Sequence, residues 1–326
     1  MKDTLHLINE SLITSDDTAT VYSKDVHGVH AELVAERDGP RTVLGESPRW
    51  DGDTWWWVDA TDGVWCRRPG GPAVAVWQTG ERTSLVHPER SGGVVVARGT
   101  DLYLLRQGAD GEWRPLGPWC ELPLEDGWLV NDGVADSHGR LWIGAIAPDR
   151  APLAGVLLRI EPDGVVHEAA DGFTLTNGMA WGPGEKRLYH VDTGERTIWA
   201  HEVDSRSGRV LDREPFLDFA RDDGLPDGIA MDTDGGIWVA MYSSGQIRRY
   251  DAMAMLDVVI DLDTPQCTSV EFGGPDGRDL LITTAREGYD ESRSAREPLA
   301  GRLFQARTRH AGLGKAKAAV ETGTFK

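Results

Sequence analysis

No stretch of the 326 residues approaches the roughly 20 apolar residues that a membrane-spanning helix needs. Cationic residues are few: 34 Lys and Arg stand against 53 Asp and Glu, a formal charge of −19. Such a surface repels nucleic acid and anionic membranes and attracts cations, and acidity of this kind also aids solubility. Cysteine is scarcer still. Cys66, Cys120 and Cys267 are far apart, odd in number and in no metal-binding spacing. They read as reduced thiols of a cytoplasmic protein. The start, MKDTLHLINE, lacks the basic-then-apolar layout of a secretion signal. Amphipathic helical patterns are missing, apart from short pieces near the N-terminus. No Gly-x-Ser-x-Gly elbow and no Cys–His arrangement offers a nucleophile, and the serines at 243–244 read as part of a turn.

What is abundant points to β structure. Thirty-nine Gly and 13 Trp suit a turn-rich chain with large side chains wedged between sheets, and 40% hydrophobic content allows a sizeable core. One pattern recurs: a polar residue, a short alternating run, an Asp/Gly turn and a second apolar run. It opens at Glu46 (ESPRWDGDTWWWVDA), Ser84 (SLVHPERSGGVVVA) and Asn131 (NDGVADSHGRLWIGA). It opens again at Asn177 (NGMAWGPGEKRLYHVD), Asp227 (DGIAMDTDGGIWVAM) and Thr268 (TSVEFGGPDGRDLLITTA). The openings lie 38 to 50 residues apart. Repeats of that length with several short strands each predict an all-β, six-bladed β-propeller. No linker divides it. Residues 1–28 read as an N-terminal extension and 29–326 as the propeller domain.

In a propeller the innermost strand of each blade lines the central channel, so the six opening residues should ring one mouth. Glu46, Ser84, Asn131, Asn177, Asp227 and Thr268 supply two carboxylates, two carboxamides and two hydroxyls. An all-oxygen set of this kind suits one hard divalent cation. Calcium is favoured, zinc would more often recruit His or Cys, and manganese or magnesium are further options. Singly, each residue is better explained by satisfying backbone groups at a strand end or turn; the case rests on their common register. Ser84 and Thr268 fit that ordinary role best.

Four motifs, GESP at 45–48, NDGVADSHGRLWIGA, TNGMAWGPGEKRLYHVDT and PDGIAMDTDGGIWVA, resemble the regucalcin/gluconolactonase (senescence marker protein) family over roughly residues 30 to 310. That family contains six-bladed, metal-dependent lactone hydrolases. The resemblance implies that Glu46, Asn177 and Asp227 bind the metal and that Asn131 lies beside it, against substrate or water. Asp149 matches a place where some members contact substrate with a carboxylate. The expected reaction is attack of water on a metal-polarised lactone carbonyl, with Asp227 as general base and Glu46 mainly a ligand.

Three positions depart from the pattern. Sugar-lactone hydrolases of the family often carry Arg where Leu129 stands and Lys where Val134 stands, which shifts the expectation toward a more apolar lactone or ester. His190 replaces the usual aliphatic residue; a packed, hydrogen-bonded histidine is the commoner occupant of such a strand position, and a site role is the alternative. Rival readings are a propeller esterase or phosphotriesterase resembling diisopropylfluorophosphatase, a biosynthetic enzyme on the lactonase scaffold, and a non-catalytic calcium-binding propeller. The expected partner is a small-molecule substrate, with no nucleic acid and no membrane; oligomeric state is not specified by these residues.

Overall fold

The apolar runs after each turn, WWWVD, VVVAR, LWIGAI, IWVAMY and DLLITT, are each the second strand of a blade and are buried almost throughout. The computed structural model describes residues 22–30, 32–33, 40–321 and 323. Blade 1 is Gly45–Trp50, Trp55–Asp59, Gly63–Arg67 and Val74–Gln78; blade 2 is Thr83–Pro88, Val94–Arg98, Asp101–Gln107 and Trp113–Glu121. Blade 3 is Leu129–Ala135, Leu141–Ile146, Gly155–Ile160 and Val166–Phe173; blade 4 is Thr176–Trp181, Arg187–Asp192, Thr197–Asp204 and Arg209–Asp218. Blade 5 contains Leu225–Met231, Ile237–Tyr242, Gln246–Tyr250 and Leu256–Asp261, and blade 6 contains Cys267–Gly273, Asp279–Thr284 and Phe304–Arg307. Consecutive inner strands touch around a closed ring, blade 6 meeting blade 1. The expected six-bladed propeller is therefore the observed fold.

The ring is closed by the N-terminal part of the chain. Glu32–Leu33 pairs antiparallel with Phe304–Arg307 as the fourth strand of blade 6, so early and late residues share one sheet. Tyr22–His30 runs parallel to Leu256–Asp261 as a fifth strand on blade 5. The boundary placed at residue 28 falls inside that strand, and residues 1–21 lie outside the described residues.

Tryptophans fill the seams between blades. Trp142 of blade 3 meets Trp181 of blade 4 edge to face at 5.4 Å, and Trp56 of blade 1 meets Trp113 of blade 2 at 5.0 Å. Three of these indoles are also tethered by a turn aspartate. Trp142 Nε1 donates to Asp136 (3.0 Å), Trp238 to Asp232 (2.9 Å) and Trp56 to Asp51 (2.8 Å). The second oxygen of each carboxylate accepts the backbone amides of its own turn, for Asp136 those of His138 and Arg140, both at 3.0 Å. One side chain thus shapes the hairpin and fixes the wedge beside it.

The C-terminal segment crosses the mouth formed by these turns. Leu313 N donates to Met231 O, Ala318 N to Pro88 O and Ala319 N to Gly139 O, joining blades 5, 2 and 3. From it Lys315 reaches Glu271, 2.6 Å away, close to the buried Arg49–Asp132 pair (2.7 Å) inside the channel. Cavities of about 390 and 240 Å³ flank this segment.

Asp136 is buried and also pairs with Arg140 Nε at 2.6 Å. Its replacement leaves the Arg140 charge without its carboxylate, and Arg140 Nε, an indole N–H and two amides without their acceptor. Asp136→Ala should therefore cost about 3–5 kcal/mol, read as a lowered midpoint of denaturant unfolding.

Candidate functional site

At the other mouth the chain is clamped just upstream of the predicted ring. Asp59, ending the second strand of blade 1, accepts from Val43 N (2.8 Å) and Leu44 N (3.3 Å), shortly before Glu46. Asp192 does the same in blade 4 for Thr174 N (2.8 Å) and Leu175 N (2.9 Å), shortly before Asn177. Each inner strand then slips register against its neighbour at or beside the ring residue. The slips fall between Glu46 and Arg49, Thr83 and Leu85, Val130 and Gly133, Thr176 and Met179, Pro226 and Ile229, and Cys267 and Ser269. Bulges of this kind re-aim side chains away from strict alternation.

Glycines let the strands converge here. A Cβ on Gly178 would lie 2.6 Å from Asp227 O and 2.7 Å from the Gly228 Cα; one on Gly228 would lie 2.4 Å from the Ser269 Cβ. Neither glycine position has room for a side chain of its own: Gly178 packs on the blade 5 backbone, which brings Asn177 and Asp227 together, and Gly228 packs on the Ser269 side chain of blade 6.

The carboxylates make an electrostatically expensive centre. Burial, then Asp227 and Asp132, push the Glu46 carboxyl well above the usual carboxylate range. Asp227 is likewise pushed well up, by burial first and then Asp132, with a hydrogen bond from Asn177 opposing the shift. Asp227 Oδ1 is buried without a partner among the described residues. The Asn177 amide nitrogen donates to Thr193 Oγ1 (3.1 Å), which donates onward to Pro226 O (2.7 Å), leaving the amide oxygen as the uncommitted end. Two repelling carboxylates, an orphaned buried oxygen and a free amide oxygen form a donor set that suits a hard divalent cation.

The other predicted residues are placed differently. Asn131 donates to Thr176 O (2.9 Å) and accepts from Arg82 Nη2 (3.2 Å), so both ends of its amide are engaged. Thr268 donates to Gly45 O (2.5 Å) and serves the backbone, while Ser84 is buried in its strand. Asp149 lies exposed in the turn Pro148–Arg150 between the second and third strands of blade 3, with φ 56°. His190 is fully buried between Phe173 and His201, ring centroids 4.6 and 5.7 Å away, in the packing of blades 3 and 4. It is packed, but neither ring nitrogen has a hydrogen-bond partner among the described residues. Val134 is buried against Trp142 and borders the far cavity, so that departure does not alter this mouth.

Several residues at the mouth escaped the sequence reading. Arg82 lies within electrostatic reach of Glu46 and Glu287, and Gln266 Nε2 donates to the Tyr242 hydroxyl (2.6 Å). Burial, Glu287 and Asp227 push that phenol up to about 12. Arg82 lies in the connection just before the inner strand of blade 2 and Glu287 in the long connection of blade 6, both outside the repeated strand–turn–strand unit. A second oxygen-rich cluster, Asp232, Asp234 and His310, lies at the far mouth. Asp232 is already saturated there by Arg249, Trp238 and two turn amides.

A family model described as the SMP-30/Gluconolactonase/LRE-like region matches residues 44–286. The chain belongs to this family. Among SMP-30/gluconolactonase relatives, a pentonolactonase of Haloferax volcanii is 33% identical over 276 residues, 80% of this chain and 90% of that protein. A 6-deoxy-6-sulfogluconolactonase of Pseudomonas putida is 31% identical, covering 82% and 91%. The solved calcium-binding regucalcin of Agrobacterium tumefaciens shares the fold, with a TM-score of 0.80 at 24% identity, covering 92% of this chain and all of that one.

Two stability consequences follow from these shifts. A carboxyl whose folded pKa is raised stabilises the fold while protonated and loses that contribution as pH rises through the folded value. In metal-free protein at neutral pH, Asp227→Asn should therefore stabilise the fold by on the order of 1 kcal/mol, read as a higher thermal midpoint. The histidines act in the opposite sense. Burial holds His190 well below its usual pKa and His201 at about 4, so the unfolded chain takes up protons that the folded chain refuses. Stability should fall as pH drops below about 6.5, by up to about 1.4 kcal/mol per pH unit for each such group. His190→Leu should flatten that acid limb in unfolding curves measured between pH 7 and 4.

Proposed function

We propose that this protein is a divalent-metal-dependent lactonase, hydrolysing the cyclic ester of a small lactone at the mouth that carries Glu46, Asn177 and Asp227. The observation that carries this reading is the orphaned, buried oxygen of Asp227 beside a second repelling carboxylate and a free amide oxygen. Lactone hydrolysis is the activity named for the relatives of Haloferax volcanii and Pseudomonas putida, which supports the reaction class.

Glu46, Asn177 and Asp227 would hold the cation, with calcium favoured by the all-oxygen set. When bound, it would supply Lewis-acid polarisation of the lactone carbonyl and stabilise the negative charge that develops on its oxygen. The protein's own part is proton handling and positioning. Asp227 takes a proton from the attacking water as the water oxygen bonds to the carbonyl carbon, the ring C–O bond breaks, and the proton passes to the departing alkoxide. The product is the open hydroxy acid. The raised affinity of Asp227 for protons in the metal-free site suits a base, and a neighbouring cation would draw it back into the ionised form that accepts one.

Chelation should abolish turnover of a lactone panel, and added calcium, manganese or zinc should restore it. Asp227→Asn should lower kcat by about 10²–10⁴-fold. Full activity after exhaustive chelation would overturn the metal requirement, and hydrolysis of aryl esters or organophosphates but of no lactone would overturn the substrate class.

A further inference from the structure

In blades 1, 3 and 5 the fifth residue after the opening position is an aspartate, Asp51, Asp136 or Asp232, and it tethers an indole of its own blade. Blade 4 has Gly182 at that place. The indole next to it, Trp181 at the end of the inner strand, therefore has no turn carboxylate to donate to. It is 7% exposed and packed edge to face on Trp142, and its Nε1 has no hydrogen-bond partner among the described residues. A buried N–H left unpaired costs free energy that an acceptor oxygen would recover.

Trp181 also walls the cavity of about 390 Å³ at the far mouth. That cavity exists because of the path of the C-terminal segment. Its backbone is bonded to Met231, Pro88 and Gly139, which belong to blades 5, 2 and 3, and the space beside it against blade 4 stays open. Val134, Ala180, Met231 and Leu313 give this space apolar walls, and Lys315 borders it from the segment. Its volume, and a few polar groups among apolar walls, are those of a small-molecule site.

The charges around the cavity narrow the occupant. Lys315 is matched by Glu271 at 2.6 Å and Arg49 by Asp132 at 2.7 Å, so these cations hold no surplus for an anion. Glu185, which borders the cavity and accepts from Ser137 N at 2.9 Å, would repel one. A cation would meet the Lys315 ammonium and the positive edge of the indole. A wholly apolar ligand would leave the Trp181 N–H unpaired. We infer that the far-mouth cavity is a second small-molecule site, separate from the mouth that carries Glu46, Asn177 and Asp227. Its ligand is a neutral, largely apolar ring compound whose carbonyl oxygen accepts from Trp181 Nε1.

The test uses 1-indanone, a ketone with no ester bond to hydrolyse, and indane, the same rings without the oxygen. Both are titrated by ligand-observed NMR against the full chain, with calcium and after chelation. 1-Indanone should bind with a dissociation constant below about 1 mM in either condition. Trp181→Phe should weaken 1-indanone by about 3- to 10-fold and leave indane unchanged. Hydrogen exchange gives a second readout that needs no variant: 1-indanone should slow the amides of residues 313–316 and 180–185. Absence of binding would overturn the inference, as would an equal loss of both compounds in Trp181→Phe. Binding that disappears on chelation, or slowed exchange at the opposite mouth instead, would place the ketone elsewhere and overturn it too.

Discussion

Everything at the functional mouth depends on how closely the six inner strands approach one another. Between blades 4 and 5 the approach is backbone on backbone, with Gly178 against Gly228, and on its other side Gly228 receives the Ser269 side chain of blade 6. Such contact leaves no space for a side chain on either glycine, so the polar residues beside them project toward the axis. The register slips at each opening allow this, and the clamps from Asp59 and Asp192 hold the chain while it happens. Burying Glu46 and Asp227 side by side is a consequence of that convergence. The stability cost of their repulsion is borne by the seams, where indoles are packed edge to face and tethered to turn carboxylates.

Below the mouth, charge continues down the channel in alternating signs. Asp132 raises the proton affinity of both Glu46 and Asp227, yet it is itself paired with Arg49, and Lys315 answers Glu271 from the far side. The compensating cations are placed toward the far end, and the mouth keeps an excess of negative charge. That polarity along the axis is a property of the assembled ring, since each partner comes from a different blade or from the C-terminal segment.

Much of this was legible in the sequence, for a definite reason. A repeated strand–turn–strand unit must place its repeated polar residue at equivalent positions, so blade number and a ring of six opening residues could be read from spacing, while the choice of Glu46, Asn177 and Asp227 within that ring came from the family resemblance. What the repeat does not encode was hidden. Arg82 lies two residues ahead of a ring position, in a connection whose path is not periodic. Glu287 belongs to an insertion. The commitment of Asn131 to Arg82 and Thr176 is a fact of side-chain geometry. His190 shows the other limit: its strand position said that it would be packed, but which neighbours would surround it, and that they would offer no hydrogen bond, depended on how blades 3 and 4 meet.

The C-terminal segment, laid across blades 5, 2 and 3, gives the channel a floor. With Lys315 driven into it like a bung, the propeller is a well rather than a pipe. Asp227 lies toward the opposite mouth, with Glu287 of the long blade 6 connection within its electrostatic reach. Under the lactonase reading, the closed ring that enters and the open hydroxy acid that leaves would pass the same residues.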